Sequence, residues 1–486
     1  MFIKRQTMSR PKILWSVNVA GSWMTQSRTI PSTDPAILKQ FYTPGPRHTA
    51  YPQTDRFVEA FGPEDHASWL RKRGVGGFSR NLGLAVHMPV CNTVCRYCGR
   101  IKPIPADNEN RDRYLDYLAK ELPLQSACLD ERSIAHVHWG GDTTMLLREG
   151  AFQGVSQILD RHFDLSGKGR RTIEIDPVIA DDQWMPELAA AGVNELCISV
   201  RECESVDDRC ADMSRIVAGT EAIVTAARDH GIDAISVNMF FGAPGQTVMS
   251  FNQALKQILA LSPERLSLQD YSYAGTASRL LLKRSETAPL LDETRIQLFA
   301  VAVMRLSEAG YVHIGLDQFT RPDDELAVAQ RQGRLHRNFK GYCTHGDCDV
   351  LGLGPSSISS VGPAYSQNAR SLEEYYGLLD ENVVPVFRGI ELTTDDLARR
   401  TVMNALMCHL EVAFESVEIA HLLDFKRYFA NELEDLKAFA DAGLVTIDDS
   451  WLCVTDSGRY VVWTICRVFD RYLRQDRKRA LTEKLL

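Results

Sequence analysis

Leu82-Gly83-Leu84-Ala85-Val86-His87-Met88-Pro89-Val90 leads without a break into Cys91-Asn92-Thr93-Val94-Cys95-Arg96-Tyr97-Cys98. A short apolar run of this kind, ending at a proline, reads as a buried strand. Similar runs follow at 134–140, 172–176, 195–200, 234–242 and 265–272. Helical periodicity separates them, at about 109–127, 147–162, 181–191, 215–229 and 249–261. In the first of these, Tyr114, Leu118 and Leu122 share one face. Six strands alternating with helices predict βαβ units and a parallel sheet. The runs read as apolar on both faces, the pattern of buried parallel strands. The expected class is α/β, as a doubly wound sheet or a partial (β/α)6 barrel. In either, the loops after the C-terminal strand ends carry function.

Beyond this array the pattern changes. Residues 290–310 predict a helix and 311–316 a strand, and 321–376 read as loop-rich, with Gly341, Gly346, Gly352, Gly354 and Gly362 among their residues. In the tail, Leu433, Leu436, Phe439 and Ala440 mark a helical face that stops at Gly443. Two strands, 444–447 and 451–454, flank an Asp448-Asp449 turn, and a last helix spans about 456–473. Helix, two strands and helix suggest a mainly helical, winged-helix-like domain. The expected organisation is a disordered or over-called extension at 1–40, with Met24 an alternative start, and an arm at 41–80. A barrel with a following cover segment occupies 81–375, and the winged-helix-like domain 376–486.

The chain has 486 residues, 44% hydrophobic and 24% charged, an ordinary globular composition. No apolar run is long enough to cross a bilayer. A net charge of −8 argues against nucleic acid as the main partner. The first 40 residues lack the apolar core of a signal peptide. The expectation is a cytoplasmic protein whose thiols stay reduced.

Twelve cysteines in so large a chain do not form a disulfide scaffold. Cys91, Cys95 and Cys98 lie on the first βα loop. Three thiolates on one loop suit a soft metal centre. Structural zinc would want a fourth ligand, which Gly99 and Arg100 do not supply. A [4Fe–4S] cube on three cysteines leaves one iron open. Cys197, Cys408 and Cys466 read as core residues. Cys343 and Cys348, with His345 between them, read as filler or as a second metal site.

This Cys-x3-Cys-x2-Cys spacing after the first strand resembles the radical S-adenosylmethionine enzymes. Further segments narrow the likeness: 45–52 (GPRHTAYP), 138–141 (HWGG), 173–177 (IEIDP), 242–247 (GAPGQT), 321–330 (RPDDELAVAQ), 336–339 (HRNF) and 352–358 (GLGPSSI). Together they resemble the oxygen-independent coproporphyrinogen III oxidase (dehydrogenase) family over about residues 42–475. That resemblance implies a partial parallel barrel and a [4Fe–4S] cluster. It implies S-adenosylmethionine cleaved to a 5′-deoxyadenosyl radical. It also implies decarboxylation of two propionates of coproporphyrinogen III, giving protoporphyrinogen IX for haem. By position, Cys91, Cys95 and Cys98 match the cluster ligands, and Gly141, Glu174 and Ile358 match residues around the first S-adenosylmethionine. Tyr97 and Thr143 are compatible with a second. The implied partners are coproporphyrinogen III or another tetrapyrrole and an electron-donor protein, for a monomeric enzyme. No residue is singled out as a catalytic acid or base.

The sequence departs from the family at several of these positions. Ala85 stands for a tyrosine, Arg100 for a fourth cysteine, and Asp142 and Thr144 break a Gly-Gly-Gly-Thr-Pro run. Around the second S-adenosylmethionine, Arg201 replaces glutamine, Met213 arginine, Asn238 aspartate and Ser272 alanine, and His48 replaces a tyrosine nearer the N-terminus. The first site is thus mostly kept and the second mostly rewritten. Asp142 and Arg201 are expected to pair across the vacated second site. Three readings stay open: an active decarboxylase; a paralogue with one S-adenosylmethionine site and altered or lost decarboxylation; and a haem-binding, chaperone-like protein.

Overall fold

The predicted strands form one after another as β1 (Asn81–Met88), β2 (Ile134–Gly141), β3 (Arg170–Ile175), β4 (Glu195–Val200), β5 (Ala234–Phe241) and β6 (Arg265–Asp270). They lie side by side in sequence order, all parallel. Helices Asn108–Ser126, Ala151–His162, Met185–Ala190, Met213–Asp229 and Val248–Ala260 make the crossovers. The structure is a computed structural model. It describes residues 34–43, 50–73, 80–88, 107–141, 143, 146–147, 150–165, 167, 169–178, 182–200, 213–243, 245–271, 292–344, 346 and 348–476.

The strands are not apolar on both faces, as the sequence suggested. Val137, Trp139, Ile173, Leu196, Ile198, Val237 and Leu266 are buried on one face, in the core that the helices also form. The other face carries His138, Thr172, Glu174, Cys197, Ser199, Asn238 and Ser267, aligned by register. This period-two alternation gives the array a polar inner face.

β1 and β6 do not pair with each other, so the array is a partial barrel. β6 continues into antiparallel β8 (Gln318–Thr320) and β7 (Val312–Gly315). The segment read as loop-rich instead carries five strands. β9 (His336–Asn338) and β10 (Gly341–Cys343) form a hairpin. β11 (Cys348–Leu353) adds parallel to β1, and β12 (Ile358–Val361), β13 (Ala364–Asn368) and β14 (Val386–Glu391) complete a 12-stranded sheet. β14 belongs to this sheet, so the boundary drawn at 375/376 falls inside it.

The tail builds its own three-stranded sheet, in the order β15 (Glu411–Ala413), β17 (Trp451–Val454), β16 (Val445–Ile447). Helix Thr394–His409 opens it, capped by Thr393 and Asp396. With the helices that follow, this is the winged-helix-like arrangement expected. The single last helix is broken: Val462–Cys466 ends in a 3-10 turn, Arg467–Phe469. Asp470 then caps a new start, its side chain accepting from the N–H groups of Tyr472 (2.9 Å) and Leu473 (3.2 Å).

The base of the barrel is closed by charge. Arg265 bonds Glu195 (2.8 Å), Asp324 (2.9 Å) and Glu325 (3.0 Å), and Arg170 bonds Glu325 (2.7 Å). Arg170, Glu195 and Arg265 are the first residues of β3, β4 and β6, and Asp324 and Glu325 come from the 321–330 run. Burial raises the Asp324 carboxyl above its usual value, while Arg170 and Arg265 outweigh burial at Glu325 and lower it.

Cys408 and Cys466 are core thiols, their pKa raised by burial. Cys348 Sγ lies 3.6 Å from His136 Nδ1, and burial pushes its thiol up to about 12. Among the described residues no three His, Cys, Asp or Glu are placed to hold a metal ion, and His345 lies outside them. No described helix is long and apolar enough to cross a membrane.

Candidate active site

The polar inner face opens at the C-terminal ends of β1, β2 and β3. Cys91, Cys95, Cys98 and Tyr97 follow Met88 directly but lie outside the described residues. What the structure shows is the strand end from which their loop departs. Gly141 ends β2 at φ +95°, and a Cβ there would stand 2.3 Å from the Met88 carbonyl oxygen. Only glycine permits both that conformation and that approach. It brings the end of β2 against the point where the cysteine loop departs.

Glu174 stands at the end of β3 and is held on three sides. Its Oε2 accepts from the Gly141 N–H (3.3 Å), and its Oε1 lies 3.2 Å from His138 Nε2. Thr143 Oγ1 donates to the Glu174 carbonyl. The Glu174 side chain keeps 17% of its surface exposed. A carboxylate fixed in this way can accept from ribose hydroxyls or an ammonium group.

Across the mouth, the 354–358 turn is pinned from below. Gly354 has φ +87°, and a Cβ there would meet the His87 carbonyl oxygen at 2.6 Å. His87 Nδ1 lies 2.6 Å from the Pro355 oxygen. Beneath, Glu121 is fully buried. It accepts from Gly354 N (2.8 Å), Tyr375 Oη (2.6 Å), Asn368 Nδ2 (2.8 Å) and Gln125 Nε2 (3.2 Å). Burial raises its carboxyl above the usual range. Ile358 then begins β12, packed against Phe57, Phe339 and Tyr365.

The structure therefore gathers Gly141, Thr143 and Glu174 and sets Ile358 on the same sheet face, past β1. Several departures can also be placed. Ala85 is buried between His138 and Gly352 in register. Asn238 Nδ2 donates to Cys197 Sγ (3.1 Å). Met213 starts its helix and packs against the main apolar core. Arg100, Asp142, Thr144, Arg201, Ser272 and His48 lie outside the described residues, and with them the Asp142–Arg201 pair. Sequence reasoning missed His138, His87 and Glu121 as site residues. Alternation along β2 would have found His138, two residues from Gly140 on the face that carries Glu174. Nothing local marks Glu121, whose partners lie up to 254 residues away.

A sequential parallel array with three cysteines after its first strand and a braced carboxylate at the end of its third defines a radical S-adenosylmethionine protein. Residues 85–258 match the Radical SAM superfamily and 392–461 the HemN C-terminal domain. The oxygen-independent coproporphyrinogen III oxidase of Salmonella typhimurium is 36% identical over 443 residues, covering 91% of this chain and 96% of that protein. That of Pseudomonas aeruginosa is 36% identical over 445 residues, with coverage of 90% and 96%. The solved structure of coproporphyrinogen III oxidase (HemN) from Escherichia coli, described as a radical SAM enzyme, superposes with a TM-score of 0.81. It is 33% identical and covers 91% of this chain and 100% of that one. The chain belongs to the oxygen-independent coproporphyrinogen III oxidase family.

Proposed function

We propose that this chain decarboxylates coproporphyrinogen III to protoporphyrinogen IX without oxygen, in haem biosynthesis, using a [4Fe–4S] cluster and S-adenosylmethionine. The observation that carries the reading is the Glu174 carboxylate, braced by His138 and the Gly141 N–H at the strand ends from which the cysteine loop departs. Three thiolates suit the cluster. The close approach that Gly141 permits sets the end of β2 against Met88, where the cysteine loop departs. In this reading Cys91, Cys95 and Cys98 hold the cluster, and Gly141, Glu174 and Ile358 hold S-adenosylmethionine. When bound, these two groups supply the electron and the hydrogen-abstracting radical. Glu174 fixes ribose or ammonium, and His138 holds that carboxylate in one rotamer; Tyr97 and Thr143 are the two positions that the resemblance leaves compatible with a second molecule. Met213 packed into the core and the Asn238–Cys197 contact supply no charge for a second S-adenosylmethionine, so one molecule is assigned. An electron-donor protein, a monomeric state and a cytoplasmic location complete the reading; reducing surroundings suit thiolate ligands.

Anaerobic reconstitution with coproporphyrinogen III tests it, with 5′-deoxyadenosine and protoporphyrinogen measured together. Both should form, and Cys95→Ser should lose cluster iron and both products. Absence of 5′-deoxyadenosine overturns the reading. Deoxyadenosine without porphyrin product instead selects the paralogue with altered chemistry, which the departures at Ala85, Met213 and Asn238 favour.

A further inference from the structure

One arginine lies on the continuation of the polar face, and a second reaches it from a helix. Ile358 pairs with Gln367 and Gln367 with Arg388, so all three share that face near its C-terminal edge. Gln367 Oε1 accepts from Arg388 Nε (2.9 Å) and Nη2 (2.7 Å), and Gln367 Nε2 donates to the Ser356 oxygen (3.1 Å). The guanidinium is thereby tied to the turn that forms one wall of the active site. Arg400, on helix Thr394–His409, donates to Tyr365 Oη (2.9 Å). Tyr365 and Gln367 are two apart on one strand, so the anchors of the two cations stand about 7 Å from each other.

Both arginines are half-buried, and neither has a carboxylate of a described residue within ion-pair distance. Their neighbours differ. Arg399 pairs with Asp395 and Glu432, and Arg471 with Asp395 and Asp396. Asp55 and Glu59 favour the Arg388 charge from a distance, but burial and Arg370 outweigh them and lower its pKa. A half-buried cation without an anion is costly, and a bound carboxylate removes that cost. The guanidinium fork matches a carboxylate in two-point geometry.

We propose that Arg388 and Arg400 form a carboxylate-recognition site. It holds propionate groups that the tetrapyrrole keeps and turns the reacting ones toward the Glu174 end of the barrel. The proposal rests on the decarboxylase reading above. These are positioning residues, acting on substrate binding.

The test uses the full-length, cluster-loaded protein with Arg388→Gln, Arg400→Gln and Arg388→Lys. Binding of coproporphyrin III is followed by fluorescence, with its tetramethyl ester as a probe lacking the charges. KM and kcat are measured with coproporphyrinogen III, and thermal midpoints confirm folding. Each glutamine variant should raise Kd and KM about 10- to 100-fold with little change in kcat, as expected for losing a charged hydrogen bond. Arg388→Lys should recover part of the loss, and ester binding should not change. Folded glutamine variants with wild-type KM overturn the proposal and leave the decarboxylase reading standing. A wild-type chain that neither binds coproporphyrin nor converts the substrate overturns that reading, and this proposal with it.

Discussion

Replacing Glu121 by glutamine probes the link between a buried charge and the mouth of the barrel. The carboxylate receives four hydrogen bonds and, among the described residues, no ion pair. Each oxygen takes two. A glutamine amide keeps one accepting oxygen and turns an NH2 group toward the other two donors. Two buried donors lose their acceptor, at about 1–3 kcal/mol each, or about 2–6 kcal/mol in all. The donors come from helix Asn108–Ser126, the Gly354 turn, β13 and helix Leu372–Asp380, so the loss falls on the turn that carries Pro355 and Ile358. The charge also sets a pH dependence. The folded carboxyl binds its proton more tightly than the unfolded one, whose ordinary value is 4.5. Stability should therefore decline as pH rises from about 4.5 toward the raised folded value. Glu121→Gln should abolish that slope. Urea unfolding across pH measures both effects, and titration of the cluster-loaded protein with S-adenosylmethionine reads the turn. A variant within 1 kcal/mol of wild type at neutral pH, with the same slope and affinity, refutes the reasoning.

Three further outcomes follow from other parts of the molecule. Arg265→Met removes the cation from the buried Asp324 and leaves Glu195 with Arg170 at 3.6 Å; it should cost about 3–5 kcal/mol, read as a lower denaturant midpoint, and a loss below 1 kcal/mol contradicts the ionic closure of the base. Gly141→Ala forces a Cβ against the Met88 carbonyl in the left-handed region. It should lower iron incorporation and S-adenosylmethionine binding, measured by iron content and isotherm. His66 is buried between Ser366 and Gln125, and burial lowers its pKa to about 4. Its contribution is present above the unfolded value of 6.5 and is lost as pH falls toward 4, by roughly 3 kcal/mol. His66→Gln should flatten unfolding free energy over that window.

The parallel array was legible because apolar runs and helical periods alternate along 82–270. Inner-face residues such as His138 and Cys197 were hidden inside those runs, since a few polar side chains among apolar ones do not break a strand pattern. The antiparallel extension was misread because its glycines look like loop punctuation. Gly354 is there instead for close backbone approach to His87. Glu174 could be named from its place at the end of the third strand, but its brace could not, since His138 comes from another strand. The role of Asp324 and Glu325 was equally out of reach. They act through Arg265, about 60 residues earlier, and sequence spacing does not show which charges will meet.

The pairing of β1 with β11 has a consequence for how the chain is made. β1 is the first strand of the array to leave the ribosome, yet one of its edges has no partner until Cys348–Leu353 is synthesised. At ~5–20 residues per second, that edge stays bare for roughly tens of seconds. An apolar strand with open backbone groups is a template for pairing between molecules. Truncated products that stop before residue 348 should therefore aggregate even when all six parallel strands are present. The late segment that forms one wall of the site is also what covers the open edge of the first strand.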